Sequence, residues 1–308
     1  MLNLFNTNSY FYKYVGYTPF TSDIRLVNRN PKRIHDTDSL FAADLMDPVK
    51  TNEAVKGSKI AYLTVGLPPN TQMWEKMFPV IMKNTIAACQ NNNAKLVFFD
   101  NTYMYPQNGE VLTEETKFAP VGKKGEVRAE IARMLLKEIE AKTIEAVICR
   151  APEFYGPGRT QGITNTLNFD KIKQGKTLQV LLRDDVLRSL IWTPDASRAT
   201  AWIGNTPDAF NQTWHLPCDD NRLTYKQFIA LVSSVYGKPL QYTILSKWKL
   251  KIGSLFNKQL KEIQELLPRY EHDNIFDSTK FKQKFPDFRV TTYKQGIEQI
   301  LAESGILK

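Results

Sequence analysis

Histidine and cysteine are both scarce, with three of each among 308 residues. His35, His215 and His272 stand alone, with no metal-ligating partner at i+4, and this argues against a metal site. Cys89, Cys149 and Cys218 lie far apart and follow no Cys-x-x-Cys or Cys/His spacing. They read as reduced, buried thiols of a cytoplasmic protein. No apolar run approaches the roughly 18 residues that cross a bilayer, and the N-terminus lacks a signal peptide's uninterrupted apolar region. The expected location is therefore cytoplasmic, with no membrane partner. A Gly-x-Ser-x-Gly elbow is also missing, which removes the Ser/His/Asp hydrolase class.

Charge of one sign is only mildly in excess. The formal net charge is +9, but lysine and arginine are scattered and interleaved with aspartate and glutamate. Neither a basic stripe nor a nucleic-acid motif emerges, so the expectation is no nucleic-acid partner. A basic solvated surface of this kind attracts phosphorylated metabolites. The Lys-rich stretch from Trp248 to Lys261 is read in the same way, as a solvated amphipathic face rather than a membrane contact.

What is present is a steady alternation of strand-like and helix-like segments from Asp23 onward, the signature of βαβ units and a parallel sheet. IRLVN (24–28), SLFAADL (39–45) and KIAYLTVG (59–66) read as strands, with a short helix near 48–55 between the second and third. A helical stripe of Trp74, Met77, Phe78, Ile81, Met82, Thr85, Ile86 and Cys89 spans about 72–91. KLVFFDN (95–101) is apolar enough to be a central strand buried on both faces. Val127, Ile131, Met134, Leu135 and Ile139 mark a helix over about 124–140, and Val147 to Arg150 form a late strand breaking into Tyr155-Gly156-Pro157-Gly158. Beyond Gly158 the pattern changes to mixed helices and short strands, with helical patterns at 224–236, 248–267 and 293–303. The expected fold is α/β, a doubly wound parallel sheet with a smaller mixed α/β C-terminal lobe covering its carboxyl edge. The two parts are divided at about 1–158 and 159–308, the second partly interleaved with the sheet.

From Asp23 to the C-terminus the segments also resemble a known family. VNRNP (27–31), ADLMD (43–47), LTVG (63–66), FFDNTYMY (98–105) and RAPEFYGPG (150–158) are similar, in order and spacing, to strand exits of extended short-chain dehydrogenase/reductases. The later segments TPDASRAT (193–200), WHLP (214–217), FDSTKFKQKF (276–285) and TTYKQGI (291–297) resemble the same group. The best resemblance is to its NAD-dependent epimerase/dehydratase type, in an atypical branch. It implies a Rossmann-like dinucleotide-binding domain, oxidoreductase or epimerase chemistry on a small carbonyl or sugar-type substrate, and a homodimer through the two long helices of the sheet domain.

The motifs that carry the chemistry are uneven. An acidic residue at the end of the second strand accepts the ribose hydroxyls of NAD, whereas a basic one accommodates the 2′-phosphate of NADP. Arg29, followed by Lys32 and Arg33, points to NADP over NAD; a solvated basic turn is the alternative. The resemblance implies further cofactor contacts at Asp44 and Leu45 beside the adenine, at Thr64, Val65 and Gly66, at Lys124, and at Tyr155 on the nicotinamide side. Asp44 could equally cap the helix that follows. In the family a Tyr-x-x-x-Lys pair moves a proton while hydride passes to the nicotinamide. Here Lys124 takes the lysine place, but Pro120 stands four residues earlier. The catalytic candidates are therefore Lys124 and Thr102, with Asn101, Thr102 and Tyr103 as substrate-binding residues and Tyr103 or Tyr105 as an alternative phenol.

Residues 1–22 hold a single glycine, Gly16, where the family runs a first strand into Gly-x-x-Gly-x-x-Gly. Side-chain-free backbone is what lets a pyrophosphate approach a helix N-terminus. Met1 to Phe5 could serve as a short first strand, with Asn6 to Tyr10 in place of the glycine turn; an altered or misread N-terminus is the other reading. Three functions follow: an NADP-linked reductase- or epimerase-like protein, a non-catalytic NADP-binding sensor or interaction module, or an inactive remnant.

Overall fold

The computed structural model describes residues 2–5, 20–21, 23–158 and 160–306. They divide into two compact units, one formed by Met1–Met104, Lys123–Arg150 and Ser197–Trp214, the other by Tyr105–Gly122, Ala151–Ala196 and His215–Lys308.

The first unit is built on a seven-stranded sheet. Its strands are β1 (Leu2–Phe5), β2 (Ile24–Asn28), β3 (Ser39–Ala42), β4 (Ile60–Leu63), β5 (Lys95–Asp100) and β6 (Ala146–Arg150), with Thr213–His215 at one edge. The spatial order is Thr213–His215, β6, β5, β4, β1, β2, β3. β1 pairs in parallel with both β2 (Leu2 opposite Ile24) and β4 (Leu2 opposite Ile60). The strand order thus runs outward in both directions from β1. This is the doubly wound arrangement expected from the alternating pattern, and its reversal point lies beside β1, where such sheets present ligands at their carboxyl edge. The short first strand read at Met1 to Phe5 is present as β1; Asn6 to Tyr10 and Gly16 lie outside the described residues.

Local chemistry explains the elements. β5 and β6 have continuous apolar runs because both faces are covered: all five residues of β6 are buried. Helix α1 (Pro48–Val55) begins with proline at its first position, and its N-cap is Asp47, whose carboxylate accepts from the amides of Val49 and Lys50. Asp44 is not that cap, contrary to one of its two readings. Its Oδ1 accepts from the Met46 amide at 3.0 Å, closing a turn before the helix. Helix α2 (Thr71–Asn91) starts one residue earlier than its apolar stripe suggests, because Asn70 caps it by accepting from the Met73 amide. Trp74, Phe78, Ile81, Met82, Ile86 and Cys89 are buried against the sheet core. Helix α3 (Gly122–Glu140) opens on Gly122, whose φ of +76° is a left-handed conformation that glycine adopts without steric cost.

The second unit has two parallel strand pairs, Glu153–Tyr155 with Leu190–Trp192 and Leu178–Leu181 with Tyr242–Leu245, and one antiparallel pair, Leu187–Arg188 with Leu223–Thr224. Its core gathers Tyr155, Phe169, Trp192, Phe228, Tyr293 and Ile297. Helices Tyr225–Tyr236 and Tyr293–Glu303 match the expected stripes, and each starts with a capping box, Thr224 with Gln227 and Thr292 with Gln295. The stretch read as one helix over 248–267 is instead three segments: Lys247–Phe256, Lys258–Ile263 and the 3₁₀ turn Gln264–Tyr270. Asn257 causes the break. Its backbone is extended and its side chain accepts from the amides of Gln259 and Leu260, so it caps a new helix instead of continuing the old one.

All three cysteines are buried and unbridged. Burial pushes the Cys89 thiol up to about 12 and raises Cys149 and Cys218 as well, so they pack as thiols. Among the described residues no helix is long and apolar enough to cross a membrane.

Candidate active site

In the first unit the carboxyl ends of β5 and β6 meet α3, whose first turn is itself bonded to the start of α2. Asp100 ends β5 and is almost fully buried. Its Oδ1 accepts from Arg128 Nε at 2.9 Å and also from Arg128 Nη2, and its Oδ2 lies 3.5 Å from Arg150 Nε at the end of β6. Two guanidiniums thus share one carboxylate in the interior. A pair so deep has to be well bonded to offset the desolvation of its charges. Arg128 gains further support from the faces of Phe78 and Phe98, at 5.0 and 5.3 Å. The cluster ties α3 to the exits of β5 and β6.

Lys124 stands one turn before Arg128 on the same face of α3 and is fully buried, and its Nζ donates to Thr71 Oγ1, the first residue of α2, at 2.7 Å. The two longest helices of the unit are therefore joined by this lysine. Beyond Asp100 the chain folds into a local turn: the Asn101 amide donates to Asp100 Oδ1, and the Tyr103 amide to Asn101 Oδ1. Thr102 is buried on that turn, and the half-buried Tyr103 ring stacks on Trp74 of α2, 6.1 Å between centroids and 11° between planes.

The remaining candidates sit at the other strand exits. Arg29 follows β2 and is exposed, with no ion-pair partner among the described residues. Asp44 is exposed two residues past β3, and Leu45 is buried in the core while its carbonyl accepts from Asn84 Nδ2 at 2.9 Å. Thr64, Val65 and Gly66 follow β4, the first two half-buried and Gly66 exposed. Asn101, Thr102 and Tyr103 thus share one turn and Lys124 is bonded to α2, while Arg29 and Asp44 are surface residues at neighbouring strand exits.

Tyr155 belongs to the second unit. Its ring lies among Trp192, Phe228 and Tyr293, and burial pushes its phenol well above the ordinary value of 10. The adjoining turn is held through backbone: Asn165 donates to the Gly156 carbonyl at 2.7 Å and accepts from the Gly156 amide at 3.1 Å. Tyr105, the alternative phenol, is fully buried and bonded to His215 Nε2 at 2.7 Å. His215 Nδ1 lies 2.7 Å from the Asp277 carbonyl, which can only accept, so the ring carries its proton on Nδ1 and the Tyr105 hydroxyl donates to Nε2. That phenol is committed to structure.

Sequence reasoning passed over Arg128, Asp100 and Thr71. One signal was available: Arg128 adjoins Val127 and precedes Ile131 on the apolar stripe of α3, and a charge inside such a stripe needs a buried partner.

The model of the NAD dependent epimerase/dehydratase family matches residues 13–216. The chain belongs to this family. Among solved structures, the UDP-glucuronic acid 4-epimerase of Bacillus cereus in complex with NAD superposes with a TM-score of 0.76 at 12% identity, over 99% of each chain. The UDP-glucose 4-epimerase of Thermus thermophilus in complex with NAD does so with a TM-score of 0.76 at 13% identity, again over 99% of each chain. The dTDP-glucose 4,6-dehydratase of Bacillus anthracis str. Ames in complex with NAD gives 0.78 at 13% identity, covering 99% of this chain and 96% of the other. At such identities the likeness is one of fold. No curated protein matches the chain. Family membership and the doubly wound parallel sheet together make this a Rossmann-type fold.

Proposed function

We propose that this family member binds NADP in preference to NAD and acts as a reductase- or epimerase-type protein on a small carbonyl or sugar-type substrate. The observation that carries the cofactor reading is Arg29, an exposed guanidinium at the exit of β2 where an acidic side chain would otherwise take the ribose hydroxyls. Its planar fork suits a phosphate, and the exposed Lys32 and Arg33 add charge of the same sign. Asp44 keeps Oδ2 beyond its bond to the Met46 amide, so it and Leu45 fit beside an adenine, with Thr64, Val65 and Gly66 along the dinucleotide. These residues fit the group. When bound, the dinucleotide supplies hydride transfer.

The chain's own residues would do the rest. Lys124, steadied by Thr71, would orient the nicotinamide ribose or polarise a substrate oxygen. Thr102, with Asn101 and Tyr103, would bind the substrate. Pro120 occupies the proton-transferring tyrosine's place, and Tyr103 is the phenol nearest in sequence that is not fully buried. The neighbours named for UDP-sugars and dTDP-glucose support a sugar-type substrate. A homodimer through α2 and α3 belongs to the same reading.

A second reading, an NADP-binding sensor or interaction module, is favoured by Pro120 together with the complete burial of Lys124. Fluorescence titration with NADPH and NADH separates them. Tight NADPH binding with turnover of a carbonyl supports the first, tight binding without turnover the second, and binding of neither nucleotide overturns both in favour of an inactive remnant. If Arg29 reads the 2′-phosphate, Arg29→Ala weakens NADPH about ten- to a hundred-fold, the scale of a lost charge-assisted contact, and leaves NADH nearly unchanged. Equal loss for both would remove that role.

A further inference from the structure

Helix Lys247–Phe256 faces outward with its large apolar residues. At 3.6 residues per turn, Trp248, Ile252, Leu255 and Phe256 fall on one side, and they are 62, 51, 76 and 87% exposed. Leu250 falls on the opposite side and is buried in the core of the second unit, with the small Gly253 and Ser254 beside it half-buried. An amphipathic surface helix ordinarily does the reverse. The solvated face read from the sequence is therefore apolar along its centre.

The helix itself and the segment that follows it are cationic. From Ser246 to Lys261 the chain carries five lysines and no aspartate or glutamate. Lys249 projects on one flank of the apolar face, its Nζ 5.7 Å from the Trp248 ring centroid, and Lys247 and Lys251 on the other. Lys247 pairs with Glu271 at 2.7 Å; Lys249, Lys251, Lys258 and Lys261 form no ion pair among the described residues.

We propose that this face docks on an anionic phospholipid bilayer, with the helix lying in the interfacial plane. Large apolar side chains with tryptophan at the centre and lysines along both flanks are what such an interface takes: rings and aliphatic groups enter the headgroup boundary while the ammonium groups meet lipid phosphates. Charge complementarity favours this occupant over a second copy of the chain. In a two-fold self-contact the two lysine borders would face each other and repel. The docking is peripheral and requires no spanning segment.

The test is sedimentation of the full chain with vesicles of phosphatidylcholine alone and of phosphatidylcholine mixed with phosphatidylserine. Binding to the anionic vesicles is expected, with loss at high salt and a blue shift of tryptophan emission. Trp248→Phe keeps the binding and abolishes the shift. Leu255→Ser with Phe256→Ser abolishes binding, and both side chains are exposed enough for the fold to be retained, as circular dichroism checks. Lys249→Gln with Lys251→Gln weakens partitioning about 25-fold, from about five-fold for each lysine near an anionic surface. The proposal is overturned by equal binding to both vesicle types or by binding to neither. It is overturned likewise by a lipid-free dimer that Phe256→Ser dissociates, or by retention on immobilised polyglutamate without vesicle binding, which identifies an acidic protein partner.

Discussion

Replacing Asp100 by asparagine probes how the candidate site is held together. Asp100 is 1% exposed and is the shared anion of two guanidiniums. Its Oδ1 accepts from Arg128 Nε at 2.9 Å, from Arg128 Nη2 and from the Asn101 amide at 2.8 Å, while Oδ2 faces Arg150 Nε at 3.5 Å. Asparagine is nearly isosteric, so no cavity opens and the loss is electrostatic. Its amide oxygen can keep Arg128 and the Asn101 amide. The amide nitrogen then replaces Oδ2 and turns its own donors toward Arg150. Taking one charge out of a buried pair costs about 3–5 kcal/mol, against about 0–1 kcal/mol for an exposed pair. The internal control is Glu53→Gln on α1, whose partner Lys50 is half exposed and 2.7 Å away. In urea unfolding followed by circular dichroism, Asp100→Asn should therefore lose about 3–5 kcal/mol, whereas Glu53→Gln should leave the midpoint nearly unchanged. A loss below about 1 kcal/mol for Asp100→Asn would refute the charge of this carboxylate as the link between α3 and the strand exits.

Glu153 of the second unit gives a pH dependence. Burial raises its carboxyl, but Arg188 at 2.9 Å, the nearby Arg269 and the Tyr225 hydroxyl outweigh it and hold the group below its ordinary value of 4.5. The unfolded chain then binds this proton at higher pH than the folded one, so the contribution is full above 4.5 and is lost as pH falls through the depressed folded value. Thermal unfolding from pH 7 down to pH ~3 should show Glu153→Gln less stable than wild type at neutral pH, the gap closing toward the acid end; a gap independent of pH would contradict it. Tyr105→Phe leaves His215 Nε2 buried without its donor and should cost about 1–3 kcal/mol of stability, with the Nδ1–H tautomer retained in nitrogen NMR spectra. An unchanged stability would show that the hydroxyl contributes nothing there.

Much of the first unit was legible because its signals are local. The stripe from Trp74 to Cys89 and the unbroken apolar runs of β5 and β6 each state which faces are covered, and covered faces on alternating strands and helices imply a parallel sheet. The helix at 293–303 was legible for the same reason. The second unit was less so. The apolar period runs on through 248–267, but the break at Asn257 depends on which backbone amides its side chain captures. The same period could not say which way the stripe of Lys247–Phe256 faces, because Leu250 on one side and Trp248 on the other are equally apolar. The site divides likewise. Arg29, Thr102 and Lys124 were named by their place after a strand or within a motif, whereas Thr71 and Asp100 join it only through contacts across about 30 to 50 residues of chain.

By itself, then, the sequence determines the order of βα units, the family they resemble, the proline that stands four residues before Lys124 and the basic character of the β2 exit. Each depends on residue type and on spacing along the chain. The tertiary structure decides the central pairing of β1, the sharing of Asp100 by Arg128 and Arg150, the commitment of Tyr105 to His215 and the outward face of Lys247–Phe256. These depend on which distant segments the packed core brings within a few ångströms, and the free energy of a buried charge, phenol or exposed apolar face is set by those neighbours.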